Sequence, residues 1–131
     1  MDLVQLRRAI FRHFAETGSP PALAADELAA LEAAHAVVLD AEGTIDFANP
    51  FAVGPTSFRV EAGGRDYHAV CAWDALGILA VLHADGTVET DCADCGDAIV
   101  VRVRDGLLAA TDAVVHFLVP AAHWSEDLRF T

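Results

Sequence analysis

Three cysteines fall in two short stretches, Cys71-Ala72-Trp73-Asp74 and Cys92-Ala93-Asp94-Cys95-Gly96. In Cys-x-x-Asp on a helix, the carboxyl lies about one turn from the sulfur and can act on the same bound species as ligand or proton carrier. A helix start at Cys71 would favour the thiolate through its unpaired N–H groups, whereas a charged Asp74 would oppose it. The plainer alternative is a small buried cysteine at a strand end, followed by an acid that suits a first helical turn. Cys-x-x-Cys supplies two soft donors but only half a structural zinc site, which takes four ligands. Cys71 would be a third ligand, with Asp74, His68 or His83 as the fourth. Thiolates select zinc, copper(I) or mercury(II) over magnesium or calcium. A thioredoxin-like role is less favoured, because Cys92 and Cys95 lack the expected βαβ context and aromatic flanks.

The remaining candidates have simpler readings. His13 and His35 belong to helical sequence, His116 lies within the apolar run AVVHFLV, and His123 reads as solvated. Trp73 would shield a site beside Cys71 or pack into the core, the second being simpler, and Trp124 would close the core or an entrance. Arg102 and Arg104 mark the outer face of an alternating strand.

The elements that position these residues are legible as periodicities. Leu3, Leu6, Ile10 and Phe14, with Val4 and Phe11, trace a buried helical face that ends at Gly18-Ser19-Pro20-Pro21. Leu28, Leu31 and His35 suggest a second helix from about Ala24. VVLD and TIDF flank Ala41-Glu42-Gly43 as a short hairpin. The segment from Asn49-Pro50 to Gly54-Pro55 reads as a connection. SFRVEA and DYHAV then alternate around Gly63-Gly64. Ala72–Leu82 has a helical pattern with Leu76, Leu79 and Ala80 facing inward. TVETD, IVVRVR and AVVHFLV read as strands, the last stopped by Pro120.

The 131 residues are 54% hydrophobic, enough to bury the core of one domain or of two small lobes. Eight arginines and no lysine stand against twenty acids, a formal charge of −12 that disfavours nucleic acid and anionic membranes. Helix, turn, helix and hairpin resemble a shortened winged helix. A nucleic-acid reader would carry basic residues on its second helix, however, and no arginine lies between Ala24 and Asp46. No run approaches the roughly 20 apolar residues of a membrane span. The odd cysteine count and the lack of an apolar targeting segment fit a cytoplasmic protein with reduced thiols.

In these motifs the sequence resembles the alkylmercury lyase (organomercurial lyase) family of mercury resistance. DYHAVCAWDALGILAVL resembles the family's catalytic strand-to-helix turn, with Cys71 at its first active cysteine and Asp74 at its active aspartate. TDCADCGDAIVVRV resembles the segment of a structural family cysteine, matched by Cys92; Cys95 is an additional thiol. HFLVPAAHWSEDLRFT resembles the strand and turn leading to the second active cysteine, whose position falls immediately after Thr131. The family pattern is thus shortened at both the N-terminal lobe and the C-terminus.

The resemblance implies an α+β fold. It consists of an alkylmercury-lyase-like mixed sheet and helix core over residues 51–131, C-terminally incomplete, after a reduced winged-helix-like lobe with a hairpin over residues 1–50. It implies carbon–mercury bond protonolysis with thiolate capture of mercury(II), Cys71 and Asp74 being catalytic, while the missing second cysteine argues for weak or absent turnover. The alternative is a non-catalytic protein binding mercury, zinc or copper through Cys71, Asp74, Cys92 and Cys95. No cofactor is required on either reading; mercury(II) is the bound product, and zinc or copper(I) the alternative ligands. The partners are an organomercurial or soft metal ion and cellular thiols, with no nucleic acid and no membrane.

Overall fold

The computed structural model describes residues 1–115 and 121–123. Helix α1 (Leu3–Thr17) starts with a capping box in which Asp2 accepts the Gln5 N–H and the Gln5 side chain accepts the Asp2 N–H. It ends at Gly18, whose φ of 76° lies in the left-handed region that closes helices. Leu6, Ile10 and Phe14 are buried along one face, as the spacing predicts, while Leu3 and Val4 are exposed. Helix α2 (Ala25–Ala33) buries Leu31. His35 follows it as an exposed turn residue with φ 54° rather than extending the helical face.

Among the described residues eight strands make one sheet in the order β1-β2-β3-β5-β4-β6-β7-β8, antiparallel throughout. Strands β1 (Val38–Leu39) and β2 (Ile45–Ala48) form the expected first hairpin. Asp40 ties its turn by accepting N–H bonds from Glu42 and Thr44 and the Thr44 hydroxyl. The connecting segment contains a strand not expected there, β3 (Phe51–Ala52), which joins β2 to β5. Strands β4 (Phe58–Ala62) and β5 (Arg65–Ala69) form the predicted hairpin around Gly63-Gly64, both at positive φ as a two-residue turn requires.

Helix α3 (Ala72–Leu82) follows, with Ala75, Ile78 and Leu79 buried; Ala80, expected inward, is exposed. Strands β6 (Gly86–Asp91) and β7 (Ala98–Arg104) form the next hairpin, and Asp105-Gly106 turns the chain into a short β8 (Leu107–Leu108). Ile99, Val101 and Val103 alternate with more exposed Val100, Arg102 and Arg104, so both arginines lie on the outer face as expected. The final apolar run differs from its pattern: Ala113–Val115 are exposed and not in a strand, and Val114 is 87% accessible. The rest of that expected strand (with His116), Pro120, Trp124 and the tail through Thr131 lie outside the described residues; His123 is exposed in a short 3-10 turn.

Among the described residues one hydrophobic cluster joins these elements. Phe14 of α1 stacks on Phe51 of β3 at 4.9 Å, and Phe51 meets Tyr67 of β5 at 5.8 Å. Tyr67 Oη also donates to the Ala15 carbonyl at 2.7 Å, tying the end of α1 to the strand that leads into α3. At Gly86 an added Cβ would collide with the Glu61 carbonyl and the Leu79 side chain, so close approach of β6 to β4 and α3 requires glycine. The outcome is a mixed α+β sheet-and-helix core.

Candidate functional site

Cys71 is the residue at which β5 becomes α3. Its backbone is extended (φ −150°, ψ 171°), and it occupies the N-cap, with its sulfur accepting the Asp74 N–H at 3.5 Å. A cysteine cap is weaker than serine or aspartate, so this position adds little to the stability of α3. Asp74 lies in the first turn, half-buried, and its backbone N–H is the group that reaches the sulfur.

The electrostatics differ from the thiolate-favouring expectation. Burial pushes the Cys71 thiol up, N–H groups of Asp74 and Trp73 pull it down, and the Asp74 charge pushes it further up; the net direction is upward. Desolvation of the sulfur therefore outweighs the helix start. Burial also lifts the Asp74 carboxyl to about 6. Near neutral pH this pair is a protonated thiol beside a carboxyl that still holds a proton part of the time.

Trp73, expected to pack into the core, is 68% accessible in that same helical turn. The first turn of α3 buries Ala75 and half-buries Asp74, which directs the preceding Trp73 to solvent. Sequence reasoning passed over Thr56, whose hydroxyl lies 2.5 Å from the Ala69 carbonyl and 3.1 Å from that of Phe58. It clamps the last turn-ward residue of β5, two positions before Cys71. Only its place just before an alternating strand hinted at such a role.

Cys92 and Cys95 sit at the tip of the β6–β7 hairpin. The Cys92 N–H donates to the Asp97 carbonyl at 2.7 Å, and the Gly96 N–H donates to the Cys92 carbonyl at 2.9 Å. Gly96 takes φ 79°, which suits glycine at that turn. The Cys92 sulfur accepts backbone N–H bonds from Cys95 and Asp94 and the Cys95 thiol, which together lower its pKa despite the nearby Asp94 charge. Cys95 is exposed, Cys92 partly so, and all three thiols are free.

Strand register relates the two cysteine groups. Phe58 faces Ala69 across β4–β5, and Arg59 faces Glu89 across β4–β6. The ends of β5 and β6 thus lie at one end of the sheet with β4 between them, roughly 10 Å apart at two strand spacings. Cys71 is brought together with Asp74, and Cys92 with Cys95. Among the described residues no group of three or more His, Cys, Asp or Glu side chains is placed to hold a metal ion, so the proposed four-ligand site is not formed by them. His83 caps the far end of α3, about 18 Å along the helix from Cys71. His68 points its ring into the space beside Gly54 and accepts the Thr56 N–H at 3.5 Å. Neither histidine joins a metal-ligand group with Cys71.

No helix of the described residues is long and apolar enough to cross a membrane. No curated protein matches the chain. Among solved structures, the chain is similar to the mercury-bound form of MerB2, with a TM-score of 0.68 and 28% identity. The match covers 84% of this chain and 59% of that one, so the chain spans little more than half the length of this relative. The family model for MerB, alkylmercury lyase, matches residues 51–131. That match takes in the strand-to-helix turn at Cys71, the hairpin tip at Cys92 and more than half of the sequence: the chain belongs to the alkylmercury lyase family.

Proposed function

We propose that the chain carries out organomercurial-lyase-type chemistry, slowly, with Cys71 capturing mercury and Asp74 supplying the proton. The observation that carries this reading is the half-buried Asp74 carboxyl, lifted to about 6 and one helical turn from a capping thiol. A proton donor near neutral pH is what a departing carbon needs. The solved relative is described as mercury-bound, and the likeness to it, over 84% of this chain, supports the reading.

The chemistry balances as two exchanges. Cys71 thiol displaces a small thiol from R–Hg–SR′, forming Cys71–S–Hg–R while its proton leaves on HS–R′. The carbon–mercury bond then breaks, its electron pair taking the Asp74 proton to release R–H. A second HS–R′ places its sulfur on mercury and returns its proton to Asp74. A solution or cellular thiol thereby fills the coordination position that no described thiol shares with Cys71. That borrowed ligand makes the reaction slow, because an intramolecular one would arrive already positioned.

The same reading treats residues 1–50, with α1, α2 and the β1–β2 hairpin, as a reduced winged-helix-like lobe, and residues 51–131 as the lyase-like domain. It also places the protein in the cytoplasm, where thiols are reduced. The absence of a third donor beside Cys71 among the described residues favours a second reading, soft-metal binding without turnover. Hydrocarbon release from an organomercurial in excess thiol separates the two. Slow release that depends on Cys71 and Asp74 supports the first; stoichiometric mercury binding with release no faster than from thiol alone supports the second.

A further inference from the structure

The hairpin tip between β6 and β7 has no part in that chemistry, yet it is built as more than a turn. Its backbone folds the Cys-x-x-Cys-Gly segment into a knuckle, closed by Cys92 N–H to Asp97 O and Gly96 N–H to Cys92 O. The knuckle turns the N–H groups of Asp94 and Cys95 onto the Cys92 sulfur and brings the Cys95 thiol into hydrogen-bond contact with it. Both thiols of this one tight turn are free, Cys95 exposed and Cys92 partly so, and are open to a small cation from solvent.

We propose that this tip is a second soft-metal site, in which Cys92 and Cys95 chelate one two-coordinate cation such as copper(I) or mercury(II). Three observations favour that ligand class. The donors number two, and no described third His, Cys, Asp or Glu joins them, which falls short of zinc's four. Both are sulfur, which selects soft ions. Asp91, Asp94 and Asp97 surround the tip with negative charge that attracts a cation. Binding of a divalent ion exchanges two S–H bonds for two S–metal bonds and releases up to two protons. Cys95, without a counterpart role in the Cys71 chemistry, thereby gains one.

The test uses the full chain, reduced and metal-free, in a Cys71→Ser background so that the first site cannot contribute. Mercury(II) chloride and, separately, copper(I) held by a competing ligand are titrated while free thiols are counted. The expected result is one ion per chain with both thiols consumed. A further Cys95→Ser or Cys92→Ser should weaken binding about 100-fold, because chelation is replaced by a single sulfur. Cys95 is exposed, so its serine variant should melt like its parent, which keeps the comparison free of misfolding. Equal affinity with and without Cys95 would overturn the proposal. So would one ion shared between two chains, or zinc displacing copper(I) at equal concentration. None of these outcomes depends on hydrocarbon release, so this site and the Cys71 reading stand or fall separately.

Discussion

The Asp74 backbone N–H points at the Cys71 sulfur from 3.5 Å, while burial holds the carboxyl of the same residue near pKa 6. One residue therefore acts on the thiol in opposite senses: its amide favours the thiolate and its charge opposes it. Protonating Asp74 relieves that opposition without losing the amide contact. A substrate metal entering at the sulfur would meet a carboxyl that still carries a proton at mildly acidic to neutral pH.

This arrangement has a cost in stability that can be measured. The Asp74 pKa is raised on folding, so the folded chain holds a proton that the unfolded chain has lost between about pH 4 and pH 6. Stability from this group is fully present below pH 4 and falls as pH rises through 6. Two pKa units, discounted for partial exposure, amount to roughly 2 kcal/mol. Asp74→Asn should flatten that slope and raise the melting temperature at pH 7 by a few degrees. Melting curves across pH 4–8 provide the check; an Asn variant with the parent's slope would mean that Asp74 titrates normally.

The thiols should differ in reactivity. Burial raises Cys71, whereas the knuckle N–H groups lower Cys92. Limiting iodoacetamide at pH 7 should therefore modify Cys92 before Cys71, since the thiolate is the nucleophile. Peptide mass spectrometry gives the order directly, and Cys71 labelled first would reverse this account of the site.

Thr56→Val should disturb the lead into α3. Removing the hydroxyl leaves the Ala69 carbonyl without that bond and costs about 1–3 kcal/mol. Denaturant titration measures the loss, and faster Cys71 alkylation in the same variant would show that the strand end has loosened. Unchanged stability and labelling would remove Thr56 from the positioning of Cys71.

Phe51→Ala should be far more damaging, at about 3–5 kcal/mol, as expected for a large aromatic removed from a core. Phe51 is 1% accessible and bridges Phe14 of α1 to Tyr67 of β5. Loss of cooperative unfolding across both helices and sheet is the expected signature; a mild, local effect would show that α1 does not share the sheet's core.

Much of this was legible in the sequence because its cause is local. Two-residue alternation with Gly63-Gly64 announced the β4–β5 hairpin, and helical spacing with a change of period placed α3 at Ala72–Leu82. The Cys71–Asp74 pairing follows from one helical turn. Other features depend on contacts distant in sequence. Strand β3 consists of two residues made a strand by β2 and β5, which no pattern within Phe51–Ala52 encodes. The direction of the Cys71 pKa turns on how deeply the sheet and helix bury the sulfur, a sum that a helix-start rule leaves out. Trp73 looks apolar enough for a core, yet faces water because its neighbours Asp74 and Ala75 take the inward positions.

The most direct test of the central claim is hydrocarbon release by the purified chain from an organomercurial in excess thiol, beside Cys71→Ser and Asp74→Ala. The account predicts slow release above the thiol-only background, abolished by Cys71→Ser and strongly reduced by Asp74→Ala, with mercury(II) left on the protein. Mercury bound at one equivalent by Cys71, with release no faster than thiol alone, would contradict it.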